Sequence, residues 1–153
     1  MIDEILNFGL EHADSSIIKV IGVGGGGCNA VKNMFEEGIE GVNFMVCNTD
    51  AQAMQNNPVP TRIQLGVTLT GGRGAGNMPE QGEQAAIENL DDIRNVLEGT
   101  TKMVFITAGM GGGTGTGAAP VIARLARELE ILTIAVVTIP SQSEGKRRFD
   151  QAL

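Results

Sequence analysis

The sequence predicts an α/β fold, a doubly wound and mostly parallel sheet, with residues 17–153 as one unit and 1–16 as an N-terminal extension. Three observations predict it. Short, continuous apolar runs alternate with stretches of helical period, the pattern of strands covered on both faces by crossover helices. Two dense glycine clusters, Gly22-Val23-Gly24-Gly25-Gly26-Gly27-Cys28-Asn29 and Gly109-Met110-Gly111-Gly112-Gly113-Thr114-Gly115-Thr116-Gly117, each stand where such a run hands over to a helix. A third glycine stretch, Gly71-Gly72-Arg73-Gly74-Ala75-Gly76-Asn77, precedes a helix opened by Pro79.

In chain order, Ile2, Ile5, Leu6 and Leu10 give residues 1–15 the spacing of a short amphipathic helix. Ile17 to Val23 reads as a buried strand. Asn29 to Glu37 follows as a helix, with Ala30, Val31, Met34 and Phe35 on one face and Gly38 as its stop. Val42 to Cys47 is a second strand, ended by Asn48-Thr49-Asp50, and a short helix fits before the Asn57-Pro58-Val59-Pro60 break. Arg62 to Leu65 is a brief strand. From Pro79 a single long helix is expected to about Glu98, since Ala86, Leu90, Ile93 and Leu97 fall on one stripe. Met103 to Thr107 is a strand, and Ala118 to Glu130 a helix with Pro120 in its first turn. Ile131 to Ile139, β-branched and apolar on both faces, is the last strand. Ser143 to Leu153 begins another helix with no cap, Gly or Pro to end it, so the chain is expected to be part of something longer.

Composition narrows the function. Hydrophobic residues make up 42% of the 153, enough for a core, which argues against disorder. Aromatics are 3%, with no Trp or Tyr, so stacking platforms for single-stranded nucleic acid are not expected. A net charge of −7 argues against a broad nucleic-acid surface. It leaves room for a nucleotide site, because backbone N–H groups at helix N-termini hold phosphate without side-chain charge. The acidic N-terminus lacks a signal-peptide start, and the longest apolar run, Ile131 to Ile139, is too short to span a bilayer. Two cysteines, Cys28 and Cys47, without metal-type spacing fit free thiols in a reducing cytosol.

Loops that follow parallel strands emerge together at the carboxyl edge of the sheet. Gly22–Asn29, Asn48–Asp50, Gly71–Asn77 and Gly109–Gly117 should therefore converge, bringing Gly24, Gly27, Asn48, Asp50, Gly111, Gly112 and Thr116 to one candidate triphosphate site. Asp50 has two readings: a group that helps hold Mg²⁺ or its waters, or a helix N-cap. Cys28 likewise reads as an activated thiol at a helix N-terminus or as a small residue in a glycine-sized place. Gly22-x-Gly24-x-x-Gly27 matches the dinucleotide fingerprint, but a dinucleotide enzyme needs no second phosphate cradle as rich as Gly109–Gly117. There is no Gly-x-x-x-x-Gly-Lys-Ser/Thr, and the only histidine, His12, lies outside the predicted fold, so neither a P-loop nor a histidine general base is present.

Gly109 to Gly117 resembles, residue for residue, the phosphate loop of the FtsZ family of tubulin-like bacterial division proteins. Ile21 to Val31, Asn48 to Ala53, Gly74-Ala75-Gly76 and Glu144-Gly145-Lys146-Arg147-Arg148 fit the same family in the same order. The resemblance implies that Gly25, Gly26, Cys28, Asn29, Ala75, Gly76, Asn77, Gly113, Thr114 and Gly115 line the phosphates of GTP or GDP, with Mg²⁺. Glu144 and Arg148 would contact the ribose region. It also implies a cytoplasmic GTPase at the mid-cell division site, which self-assembles head to tail and meets membrane tethers and regulators without entering the membrane or binding nucleic acid. By the same likeness the guanine-reading Asn and Asp, the activating carboxylates and a second domain lie beyond Leu153. Little GTP turnover and weak base selectivity are therefore expected of this chain. Three departures stand out: Cys28 replaces a common glycine, Ser141-Gln142-Ser143 replaces an aromatic-containing stretch, and Glu130 stands where a glycine often ends the helix.

Overall fold

The computed structural model describes residues 16–153; the helix expected over 1–15 lies outside them. Five parallel strands form one sheet in the order β3-β2-β1-β4-β5. They are β1 (Ile18–Val23), β2 (Asn43–Asn48), β3 (Thr61–Gln64), β4 (Met103–Gly109) and β5 (Leu132–Thr138). The helices are α1 (Gly24–Glu36), α2 (Ala51–Gln55), α3 (Val67–Thr70), α4 (Pro79–Glu88), α5 (Leu90–Leu97), α6 (Thr114–Glu128) and α7 (Lys146–Ala152). The order confirms the doubly wound class. From β1 the chain winds outward to β2 and β3, then returns to β4 on the other side of β1. The crevice between the exits of β1 and β4 is where such a sheet holds a ligand.

Alternation along the strands assigns the two faces. Val20 and Val46 pack with Cys28 and Val31 of α1 on one side. Ile21, Val23, Met45, Val104 and Ile106 pack with Ala85, Ile93, Ile122 and Leu125 of α4–α6 on the other. Ile122 and Leu125 are fully or almost fully buried, so truncating either to Ala costs about 2–5 kcal/mol. At Gly27 the reason for glycine is close approach: an added Cβ would collide with the Thr107 carbonyl of β4, so α1 can sit this near the sheet only without a side chain there.

Four sequence expectations are corrected. The helices after β1 and β4 begin at Gly24 and Thr114, not at Asn29 and Ala118. Low propensity hides glycines from a periodicity reading, yet first-turn residues need no preceding turn to bond to. Pro120 consequently falls in the second turn of α6 and leaves the Thr116 carbonyl without its helical donor. The long helix breaks at Asn89, because the Asn89 side chain bonds elsewhere while the apolar stripe runs on through Leu90 and Ile93. Finally, among the described residues β5 is not covered on both faces: it is the outermost of the five strands, with Leu132 57% and Val136 58% exposed.

Helix α6 ends as its sequence departure suggests. Glu130 adopts φ 59°, the left-handed conformation that glycine takes at this position. The Glu130 N–H bonds to the Arg127 carbonyl and the Ile131 N–H to the Ala126 carbonyl, both at 3.0 Å, which satisfies two carbonyls of the last turn.

Candidate functional site

A cleft of about 410 Å³ opens at the carboxyl edge, between the exits of β1 and β4. Gly24, Gly25 and Gly26 form one wall as the first turn of α1; Gly112, Gly113, Thr114 and Gly115 form another as the start of α6. Neither helix carries a side-chain cap, so no side chain occupies the acceptor position that the first-turn N–H groups face. Two positive dipole ends therefore converge on one space, an arrangement that favours an anion with several oxygens. The two turns touch: a Cβ on Gly24, whose φ is 71°, would sit 2.9 Å from the Gly115 nitrogen. Gly109 and Met110 complete the floor. The Met110 N–H bonds to the Thr138 carbonyl at 2.8 Å, which brings Thr138, Ile139 and Pro140 to the rim.

Glu144 and Arg148 line the opposite side. A short 3₁₀ turn (Gln142–Glu144) is closed by a reciprocal cap in which the Glu144 carboxylate accepts the Ser141 N–H at 3.2 Å. The other oxygen of Glu144 lies 3.8 Å from the Arg148 guanidinium. Both side chains are half exposed, so this pair orients more than it stabilises. Ser141 serves as that cap, a role an aromatic residue could not fill.

The remaining candidates back the cleft. Thr116 Oγ1 accepts the Gly111 N–H at 2.8 Å and closes the second glycine turn. Ala75 and Asn77 lie behind that turn: a Cβ on Gly113 would meet that of Ala75 at 2.9 Å, and one on Gly112 would meet Asn77 Oδ1 at 3.8 Å. Gly76, at φ 58°, lies on the exposed part of this loop. Asn29 is exposed on α1, one turn beyond the lining glycines. Asn48 is buried, and its side chain accepts the Thr49 N–H at 2.8 Å. Thr49, not singled out in the sequence, is fully buried and meets the Thr114 hydroxyl at 2.6 Å. Its place directly after β2 was the available signal, as was that of Thr138 at the end of β5.

Cys28 and Asp50 each have a structural role in the fold. The Cys28 thiol points inward and donates to the Cys47 carbonyl at 3.4 Å. Burial pushes it up to about 12, against an ordinary value of 9.0, so it is no activated thiol. Cys47 packs with the core on the opposite face of the sheet. Asp50 caps α2, its Oδ1 accepting the N–H groups of Gln52 at 2.9 Å and Ala53 at 3.2 Å. Among the described residues no three His, Cys, Asp or Glu side chains gather as a metal cluster. Asp50 Oδ1 is engaged by the cap, which leaves its second oxygen as the group that could meet the waters of a phosphate-bound Mg²⁺.

Comparison with known proteins agrees with this geometry. Over 157 aligned residues the chain is 58% identical to the cell division protein FtsZ of Porphyromonas gingivalis, covering 100% of this chain and 34% of that one. The chain therefore spans about a third of the length of that curated relative. An FtsZ dimer of M. jannaschii superposes with a TM-score of 0.86 at 43% identity, covering 98% of this chain and 43% of its own. CetZ2 of Haloferax volcanii, solved as a GTPγS-bound protofilament, gives 0.75 at 27% identity, covering 86% of this chain and 42% of its own. Residues 17–153 match the GTPase domain of the tubulin/FtsZ family, and with two bare helix N-termini meeting at the switch point of a doubly wound sheet, the chain belongs to that family.

Proposed function

We propose that the cleft binds GTP or GDP, with the phosphates between the N-termini of α1 and α6 and the ribose toward Glu144 and Arg148. The observation that carries this is the meeting of Gly24–Gly26 with Gly112–Gly115 at one rim, where uncapped N–H groups converge. Backbone donors held by two packed helices are pre-organised, so charge on a phosphoryl group is met without rearrangement. In this reading Asn29, Ala75, Gly76 and Asn77 act from the second layer, while Gly27, Cys28, Asn48, Asp50, Gly111 and Thr116 shape the loops. Mg²⁺ would accompany the nucleotide as its counter-ion, with Asp50 meeting it through water.

The protein to which residues 17–153 contribute their nucleotide-binding unit is, in this proposal, a polymerising GTPase of the bacterial division ring. Its subunits assemble head to tail in the cytoplasm at mid-cell, where tethers and regulators of the ring meet them. Support comes from the FtsZ relatives and from the dimer and protofilament structures that the fold matches. No helix of the described residues is long and apolar enough to cross a membrane. Hydrolysis needs a group to position water, since phosphoryl transfer is largely positioning plus charge stabilisation. Among the described residues Glu144 is the one carboxylate lining the cleft, and it is engaged by Ser141 and Arg148. This chain alone therefore binds nucleotide and turns it over slowly, and the activating carboxylate comes from a neighbouring subunit.

Calorimetric titration with GDP, GTP and NAD tests the reading. Saturable binding of the guanine nucleotides, weakened by Gly25→Val, where a side chain meets nothing else in the fold, is expected. Binding of NAD with none of GDP would replace it with a dinucleotide module. Rapid GTP turnover by this chain alone would overturn the hydrolysis argument.

A further inference from the structure

The break between α4 and α5 places two polar side chains against one short segment. Glu88, the last residue of α4, accepts the Thr68 N–H at 2.8 Å and the Leu69 N–H at 3.1 Å through its two oxygens. Asn89, next in the chain, accepts the Gly66 N–H at 2.8 Å and donates to Asp92 at 2.8 Å. A carboxylate at a helix C-terminus faces the negative end of its own dipole, an unfavourable place. Here it caps α3 instead, and the two N–H bonds hold its carboxyl below the ordinary range. Gly66, at φ 60°, is pressed against α4 so closely that a Cβ would lie 2.5 Å from that of Ala85.

This segment is the root of the 71–77 loop. From it the loop runs past α2, where Gly72 accepts the Ala51 N–H at 3.1 Å and Gly74 donates to Thr49 at 3.3 Å. It then reaches the back of Gly113 at Ala75. Upstream the chain is fixed by Leu65, buried in the core with its N–H on the Asn48 carbonyl at 2.8 Å; Val67, Thr68 and Leu69 are exposed, so the Glu88 carboxylate is what holds this turn.

We propose that Glu88 and Asn89 are positioning residues for nucleotide binding: by clamping residues 66–69 they set the 71–77 loop that buttresses the Gly112–Gly113 wall of the cleft. This rests on the reading that the cleft holds guanine nucleotide. Neither side chain lines the cleft, and both act through the loop.

The test uses Glu88→Ala, Glu88→Gln and Asn89→Ala in this chain, with two readouts. Hydrogen exchange of the ligand-free protein reports the loop, and release of a fluorescent GDP analogue in stopped flow reports the cleft. Glu88→Ala should speed exchange across 71–77 by about tenfold, as for a segment released from a local clamp. It should speed GDP release by about threefold to tenfold, the scale of one net hydrogen bond. Glu88→Gln, which keeps one acceptor, should recover part of both, and Asn89→Ala should move both in the same direction as Glu88→Ala. A rescue that follows acceptor number is not expected of a residue that merely fills space. Unchanged exchange over 71–77 overturns the clamp. Faster exchange with unchanged GDP release overturns its link to the cleft. A wild-type chain that binds no GDP sinks the nucleotide reading, and with it the ligand of this proposal, while the exchange data still show whether the loop is anchored.

Discussion

The hydroxyls of Thr49 and Thr114 meet at 2.6 Å, joining the exit of β2 to the first residue of α6. Thr49 is fully buried, whereas Thr114 lines the cleft, so a core position fixes the rotamer of a wall residue. Thr49→Val keeps the volume and removes the partner. It should lower stability by about 1 kcal/mol and weaken GDP binding by about fivefold. A double-mutant cycle with Thr114→Val, read by chemical denaturation, should show coupling of about 1 kcal/mol. Additive effects would mean that the two hydroxyls act independently.

Gly25 and Gly27 separate binding from folding. An added Cβ at Gly25 meets nothing within 4 Å, and Gly25 lines the cleft. Gly25→Ala should keep or raise the melting temperature, since Ala is the better helix former. At the same time it should weaken GDP binding by tenfold or more, about 1.4 kcal/mol. Gly27→Ala, driven into the Thr107 carbonyl, should instead abolish cooperative melting. Circular dichroism and calorimetry on the two proteins decide the matter, and equal effects on both would contradict the geometry.

Glu130→Gly should stabilise. The left-handed conformation at φ 59° costs a non-glycine residue roughly 1 kcal/mol, partly offset by the added freedom of glycine in the unfolded chain. A gain of about 0.5 kcal/mol in urea unfolding is expected, with no change in nucleotide binding. Destabilisation would show that the Glu130 side chain contributes more than its backbone conformation loses.

The thiols set an alkaline limit. Burial raises both, Cys28 to about 12 from 9.0, so the folded chain keeps protons that the unfolded chain gives up. Below pH 9 both states are protonated and the contribution is whole. From pH 9 upward the unfolded state deprotonates first, and stability falls toward pH 12. Urea midpoints measured between pH 7 and 10.5 should decline above 9, and Cys28→Ser with Cys47→Ala should flatten that decline. Thiol reagents at pH 8 should react only after unfolding.

The parallel, doubly wound class and the converging glycine turns were legible because both follow from residue type and connectivity. A buried apolar run into Gly22–Gly27, or into Gly109–Gly117, can be followed only by a backbone that turns sharply. Helix starts were less legible. The period of α6 declares itself from Ala118, although Thr114 already has helical geometry. Asn89 was hidden by an apolar stripe that continues through Leu90 and Ile93, since its role lies in a bond to Gly66 distant in sequence. Asp50 was readable as a cap because Asn48-Thr49-Asp50 is rich in capping residues, and α2 does begin at the next residue. The outer position of β5 had no sequence signal, because apolar strands read alike at the middle and the edge of a sheet.

Seven of the fifteen residues around the cleft are glycines, and the donors they offer are main-chain N–H groups. Conventional truncation scanning would register the bulk it adds there and not any function it deletes. Amide-to-ester replacement at Gly25 or Gly115, made by chemical ligation, would erase a single donor while leaving shape intact. Natural variation faces the same restriction, since point substitution can crowd this wall but cannot strip it of its hydrogens, proline aside.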